Sequence, residues 1–198
     1  MAGFEHDPHS ERGYNCPRNF LGFTSYAALR PFEAAYAIKR GGELEDRVVR
    51  ERFDSTHLQG IHRYLFQDIF PWAGEFRHVD IMKGNSTFAL AIHIEAALEE
   101  ALTKLRRENF LKGFSAELFA KRAAFYLGEI NAIHPFREGN GRTQREFIRQ
   151  LAMNAGLALS WAGFTQHENT SASILSHQHG DNSGLATIIE RAIAQASA

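Results

Sequence analysis

Between residues 134 and 147 the sequence reads HPFREGNGRTQREF. Within that stretch His134 titrates near neutral pH when free, and can take a proton from an incoming hydroxyl. Glu138 offers the hard oxygen donors that Mg²⁺ prefers and shares with substrate phosphates. Gly139, Asn140 and Gly141 permit backbone conformations that turn amides inward. A glycine-rich loop opening a helix presents unpaired N–H groups and the positive end of the helix dipole to an anion. Arg142, Arg145 and Arg149 then recur at i, i+3 and i+7, one face of a helix. Like charges at that spacing repel, and the helix N-terminus makes them less welcome still. A polyphosphate bridging the arginines offsets that cost. Proton acceptor, metal ligand, anion cradle and charge clamp in one loop describe the transfer of part of a nucleotide to a hydroxyl. Arg149, at the rear of the stripe, reads equally well as a surface charge and is left out of the site.

The elements around this loop read as helices. A first helix is expected from about Thr24 to a stop at Gly41-Gly42, and a second from the Asp54-Ser55-Thr56 cap, ending before Pro71. The second carries apolar Leu58, Ile61, Leu65 and Ile69 at three- and four-residue steps. Further helices are expected from about Ile92 to Asn109, from a Ser115 cap to about Ile133, and from near Gly141 to Gly156. Two amphipathic segments follow, Gln166 to His177 and Asn182 to Gln195. The stretch EFRHVDIMKGNSTF, Glu75 to Phe88, alternates around Lys83-Gly84-Asn85 and predicts a β-hairpin or flap. Residues 1–22 predict an irregular arm, and residues 23–198 a single domain with its core at about 54–178. Gly60 sits unexplained in a helix of otherwise strong formers.

Composition narrows the class. The 198 residues carry a formal net charge of -1 and a single cysteine, Cys16. No basic field draws such a chain to nucleic acid, and no apolar run reaches membrane-spanning length. The polar N-terminus lacks a signal-peptide core, and one cysteine suits a reducing compartment, so the expected location is cytoplasmic. His57 and His62 point to different helix faces, and His177 and His179 lack a cysteine or acidic companion, so neither pair reads as a zinc site. The phenylalanines Phe110, Phe114, Phe119 and Phe125 read as core.

HPFREGNGRTQREF resembles the signature of Fic-domain proteins, HxFx(D/E)GNGRxxR, at every specified position. The helix before it, the region near KGNSTFA and the upstream helix also resemble the Fic core. The resemblance implies a mainly α Fic fold, a helical bundle with a short β-hairpin flap beside the active-site helix–loop–helix. It implies AMP transfer from Mg-ATP to a Tyr, Ser or Thr hydroxyl of a target protein. On that basis His134 is the expected general base and Glu138 the Mg²⁺ ligand. Gly139, Asn140 and Gly141 are the expected anion hole, with Arg142 near the β-phosphate and Arg145 on the γ-phosphate. Lys83 and Gly84 are expected to border the nucleotide. Asn85, Ser86, Thr87 and Phe88 are expected to pair with the target backbone as an added strand.

Many members carry an inhibitory (S/T)xxxE(G/N) helix whose glutamate pairs with the second motif arginine. Here Glu108-Asn109 follows Lys104, Glu168-Asn169 follows Phe164, and Glu138-Gly139 lies in the motif itself, so none fits. The chain therefore resembles the toxin of a bacterial toxin–antitoxin pair, with a small separate antitoxin supplying that helix to Arg145. Toxins of this type resemble enzymes acting on the ATPase subunits of DNA gyrase and topoisomerase IV. The alternatives are phosphate or phosphocholine transfer on the same fold, or a catalytically silent docking module. Phosphate-transferring relatives depart from GNGR, which this chain keeps.

Overall fold

The computed structural model describes residues 7–45, 52–84 and 86–196. They form helices α1 (Tyr26–Glu45), α2 (Ser55–Phe66), α3 (Ile94–Arg107), α4 (Ala116–Ile133), α5 (Asn140–Asn154), α6 (Gln166–His179) and α7 (Ser183–Ala196). Asp54 caps α2 by accepting from the His57 amide at 2.9 Å, and Ser115 caps α4 through the Leu118 amide. A capping box between Thr165 and Glu168 starts α6. Helix α4 is the central element and packs against α3, α5, α6 and α7, while α2 packs between α1 and α5. Its inward face (Phe119, Ala123, Tyr126, Ile130) is almost fully buried, and α5 meets it with Phe147, Ile148 and Leu151. The turn at residues 134–139 joins these two helices, so the core itself fixes where the turn sits. No described helix is long and apolar enough to cross a membrane.

Two expectations change. The first helix does not stop at Gly41-Gly42 but runs through them to Glu45. A glycine pair costs a helix about 1 kcal/mol per residue. Beyond it Leu44 is buried, Tyr64 donates to Glu43 at 2.6 Å, and Arg40 grips both Glu43 and Asp68. Those tertiary contacts outweigh propensity. The hairpin is also shorter than its alternation suggested: β1 (Met82–Lys83) pairs antiparallel with β2 (Ser86–Thr87), and residues 75–81 form no strand. The Arg77 amide donates instead to the Pro135 carbonyl at 2.9 Å, which ties that segment to the turn between α4 and α5.

Residues 7–25 form no helix, with one isolated bridge between Ser10 and Pro17. They are nonetheless sewn onto the core. His9 stacks on Trp72, Asp7 pairs with Arg137, and the Trp72 indole donates to the Arg18 carbonyl. Cys16 is buried and its thiol faces the Phe23 carbonyl; burial raises its pKa.

Candidate active site

Helix α4 ends at His134, whose φ of 50° is left-handed, and Pro135 then forbids its continuation. A non-glycine residue there stores roughly 1–2 kcal/mol of strain, so something must hold it. Arg77 does. Its side chain is fully enclosed and donates to the carbonyls of His134 (2.9 Å), Ile133 (3.1 Å), Val79 (2.7 Å) and Ala89. One guanidinium thereby caps the negative end of α4 and fastens it to the base of the flap.

The next turn is equally constrained. Phe136 stacks on His62 with ring centroids 4.0 Å apart. The Asn140 side chain accepts from the Phe136 amide (2.9 Å) and donates to its carbonyl (2.7 Å). Any contact of Asn140 with an anion therefore falls to its backbone amide. His62 Nδ1 accepts from the Gly74 amide at 2.8 Å, so Nε2 carries the proton that it donates to the Glu138 carbonyl at 3.1 Å. Burial pushes the His62 pKa down to about 3, which keeps this bridge neutral. Gly139 adopts φ +79°, and a Cβ there would lie 2.4 Å from the Phe66 ring. Only glycine fits.

This turn opens onto a cleft of about 1070 Å³ lined by His134, Glu138, Gly139, Asn140, Gly141, Arg142 and Arg145 on one side and by Lys83, Gly84, Ser86 and Phe88 on the other. The expected site residues from distant parts of the sequence thus meet in one place. Thr87 borders a smaller neighbouring cleft, and Asn85 lies outside the described residues. Phe88, expected on the docking edge, turns inward and stacks on His134 at 4.0 Å.

The electrostatics separate the three arginines. Arg142 pairs with Glu33 of α1. Arg149 is not a surface charge: it is buried and holds Glu146 through two 2.8 Å bonds and the Leu44 carbonyl at 3.1 Å. Arg145 has no carboxylate partner among the described residues, and burial together with the charge of Arg142 lowers its pKa. The stripe therefore leaves one uncompensated, half-enclosed cation facing the cleft, which an anion would satisfy.

His134 is the complementary group. It is 6% exposed, and burial, then the Lys83 charge, push its pKa down to about 3. Nδ1 lies 3.3 Å from the Asn131 carbonyl, an acceptor, so the ring proton sits on Nδ1. Nε2 keeps its lone pair and has no partner among the described residues. Glu138 accepts from the Tyr26 hydroxyl at 3.1 Å and from Arg137 at 3.3 Å. The same hydroxyl lies 3.1 Å from Glu33, so its single proton is shared between the two carboxylates; burial and those carboxylates raise its pKa, keeping it protonated. Tyr26, Glu33, Arg77 and His62 position the site yet carried no local signal in the sequence. Their partners lie far along the chain, or, for Arg77, the surrounding alternation suggested a strand.

Residues 52–152 match the Fic/DOC family. The chain belongs to that family. The protein adenylyltransferase VbhT of Bartonella schoenbuchensis is 42% identical over 185 residues, which are 93% of this chain and 38% of VbhT. The probable protein adenylyltransferase Fic of Salmonella typhimurium is 41% identical over 193 residues, 96% of this chain and 94% of that protein. This Fic/DOC chain thus spans well under half of VbhT but nearly all of the Salmonella protein. Among solved structures, BepC from Bartonella tribocorum, with bound AMPPNP, superposes with a TM-score of 0.88 at 26% identity over 93% of this chain and 95% of that one.

Proposed function

We propose that this Fic/DOC protein is a protein adenylyltransferase that moves AMP from Mg-ATP to a hydroxyl side chain of a target protein. One observation carries the reading: the partnerless Nε2 of a neutral, buried His134 shares a cleft with the uncompensated cation of Arg145. An acceptor for a proton at the end of α4 and a seat for a polyphosphate on the second turn of α5 flank one tight turn. The relatives named above, and BepC with its ATP analogue, support the same assignment.

The nucleotide's terminal phosphates sit against Arg145 and Arg142, with the N-terminal amides of α5 at Gly139–Gly141 receiving phosphate oxygens. Lys83 and Gly84 border the nucleotide from the flap. The target hydroxyl gives its proton to His134 Nε2 as its oxygen bonds to the α-phosphorus. The bond from that phosphorus to the bridging oxygen breaks, and pyrophosphate leaves with its charge held by the arginines. Glu138 is the carboxylate that would hold a Mg²⁺ arriving with ATP: it lines the cleft and offers hard oxygens near the arginines. When bound, the ion neutralises phosphate charge. The flap edge at Ser86–Thr87 presents the target backbone to His134, whose ring Phe88 keeps in place.

The same geometry supports control by a separate protein. Arg142 already has Glu33 from within the chain, whereas Arg145 has no carboxylate among the described residues and the sequence supplies no (S/T)xxxE(G/N) helix. An antitoxin glutamate would take Arg145 and displace the terminal phosphate. The enzyme is then a cytoplasmic bacterial toxin acting on the ATPase subunit of DNA gyrase or topoisomerase IV, with residues 23–198 as its single domain. The test supplies ATP labelled at the α- or the γ-phosphate with Mg²⁺, first to bacterial lysate and then to each purified ATPase subunit. Label transferred from the α-phosphate alone is expected; label from the γ-phosphate would overturn AMP transfer. α-Label found on other lysate proteins but on neither subunit would overturn the target alone.

A further inference from the structure

Outside the cleft, three side chains converge on the far side of the segment that carries Arg77. His9 Nε2 lies 3.2 Å from Glu75 Oε2, and the rings of His9 and His78 are 5.2 Å apart. One ligating atom from each of the three can be chosen so that all lie within 4.8 Å of one another. We propose that His9, Glu75 and His78 form a binding site for a divalent transition metal of the zinc type.

The donor set is two imidazoles and a carboxylate, which suits Zn²⁺ with water in a fourth position. Bonds of about 2.0–2.1 Å at tetrahedral angles place ligand atoms roughly 3.3 Å apart. The His9–Glu75 pair already has that spacing. His78 must close the remainder, and its exposed side chain is free to change rotamer. His9 is the fixed member: it is 1% exposed and stacked on Trp72 at 4.9 Å. Burial also lowers the His9 pKa, which favours the neutral ring that ligates metals.

The position gives the ion a role. His78 follows Arg77, which holds the carbonyls of Ile133 and His134. Asp7, two residues from His9, holds Arg137 of the active-site loop at 2.7 Å. A metal joining His9 to Glu75 and His78 clamps both anchors to each other, stabilising the arm and the turn that carries His134 without entering the cleft.

The test uses the full chain, untagged and stripped of metal, titrated with Zn²⁺ alone. The expected result is one ion per chain, and a melting temperature raised by roughly 5–10 °C at about a hundredfold excess over Kd. Co²⁺ should give the visible absorption of a tetrahedral site. Glu75→Gln and His78→Ala alter exposed side chains, so both variants should fold, and each should weaken Zn²⁺ binding at least tenfold. His179→Ala should leave it unchanged. No binding by the wild type, or affinity that survives in His78→Ala, overturns the assignment and leaves a simple His9–Glu75 hydrogen bond.

Discussion

Lowering the pH from 7.5 to 5.5 should cost the folded state a specific amount of stability through His134. In the unfolded chain the imidazole titrates at about 6.5, whereas in the fold its pKa is pushed down to about 3. The unfolded state therefore binds more protons between those values, so this contribution is fully present above pH 6.5 and is lost as the pH falls toward 3. At pH 5.5 the unfolded histidine is protonated about ten to one and the folded one hardly at all, which amounts to about 1.4 kcal/mol for this one ring. His62, with the same depressed value, adds a similar amount. Urea unfolding of the wild type and of His134→Ala at both pH values isolates the first share, because His62 and every carboxylate remain in the variant. The wild type should lose about 1.4 kcal/mol more than the variant over that interval. Equal losses would refute the idea that burial holds His134 neutral, and with it the physical basis for its role as base. The same depressed pKa makes a kinetic claim. In the free enzyme kcat/KM for target modification should show no inflection near pH 6.5 and should hold its value until the fold itself begins to fail.

Three further outcomes follow from the geometry. Arg145→Ala removes a partly buried cation that lacks a carboxylate partner among the described residues, so it should leave stability within about 0.5 kcal/mol of wild type. The same change should weaken ATP binding by the roughly 1.5–3 kcal/mol of a charged hydrogen bond, measured by calorimetry; unchanged affinity would remove Arg145 from the phosphate site. Tyr26→Phe deletes the hydroxyl between Glu33 and Glu138 and should destabilise by about 1–2 kcal/mol, while raising the Mg²⁺ concentration needed for half-maximal activity as Glu138 loses its positioning donor. An Mg²⁺ dependence identical to wild type would show that Tyr26 only packs. Gly60→Ala and Gly139→Ala make a matched pair with opposite signs. Gly60 is exposed with open space around its Cβ direction and should gain about 0.5–1 kcal/mol as alanine. Gly139→Ala should lose several times that, or fail to fold, and equal thermal shifts for the two would contradict the close Phe66 contact.

The motif was legible because its chemistry and its backbone demands are both local. Glycines that must turn, a proline that must stop a helix and the charges that follow all lie within a dozen positions. Helix existence was legible for the same reason, since caps and apolar periodicity are local signals, and Asp54 and Ser115 cap as expected. What local signals missed was compensation across the chain. Gly41-Gly42 reads as a stop until Leu44 and Glu43 are seen against the core. Arg149 reads as a solvated charge until Glu146 and the Leu44 carbonyl are seen to enclose it. Alternation around Arg77 reads as a strand, because nothing in the pattern reveals that its guanidinium is spent on carbonyls of another element.

That last point changes how the active site is understood. The motif places His134 at the end of α4, but the motif residues alone do not hold a left-handed histidine there, nor keep its ring dry. Arg77 fixes the backbone, Phe88 covers the ring, and the charge of Lys83 helps to hold it neutral. All three lie between residues 77 and 88, on the flap and the segment leading into it. In the proposed mechanism the flap is therefore as much a part of the base as the imidazole. A substitution such as Phe88→Ala, which touches no expected phosphate contact, should act on the base rather than on ATP. It should let water reach His134 and raise its pKa toward 6.5, giving kcat/KM an acid limb that the wild type lacks while ATP affinity stays constant. If ATP affinity falls instead and the pH profile does not move, Phe88 belongs to the nucleotide pocket, and the flap's part in tuning His134 is withdrawn.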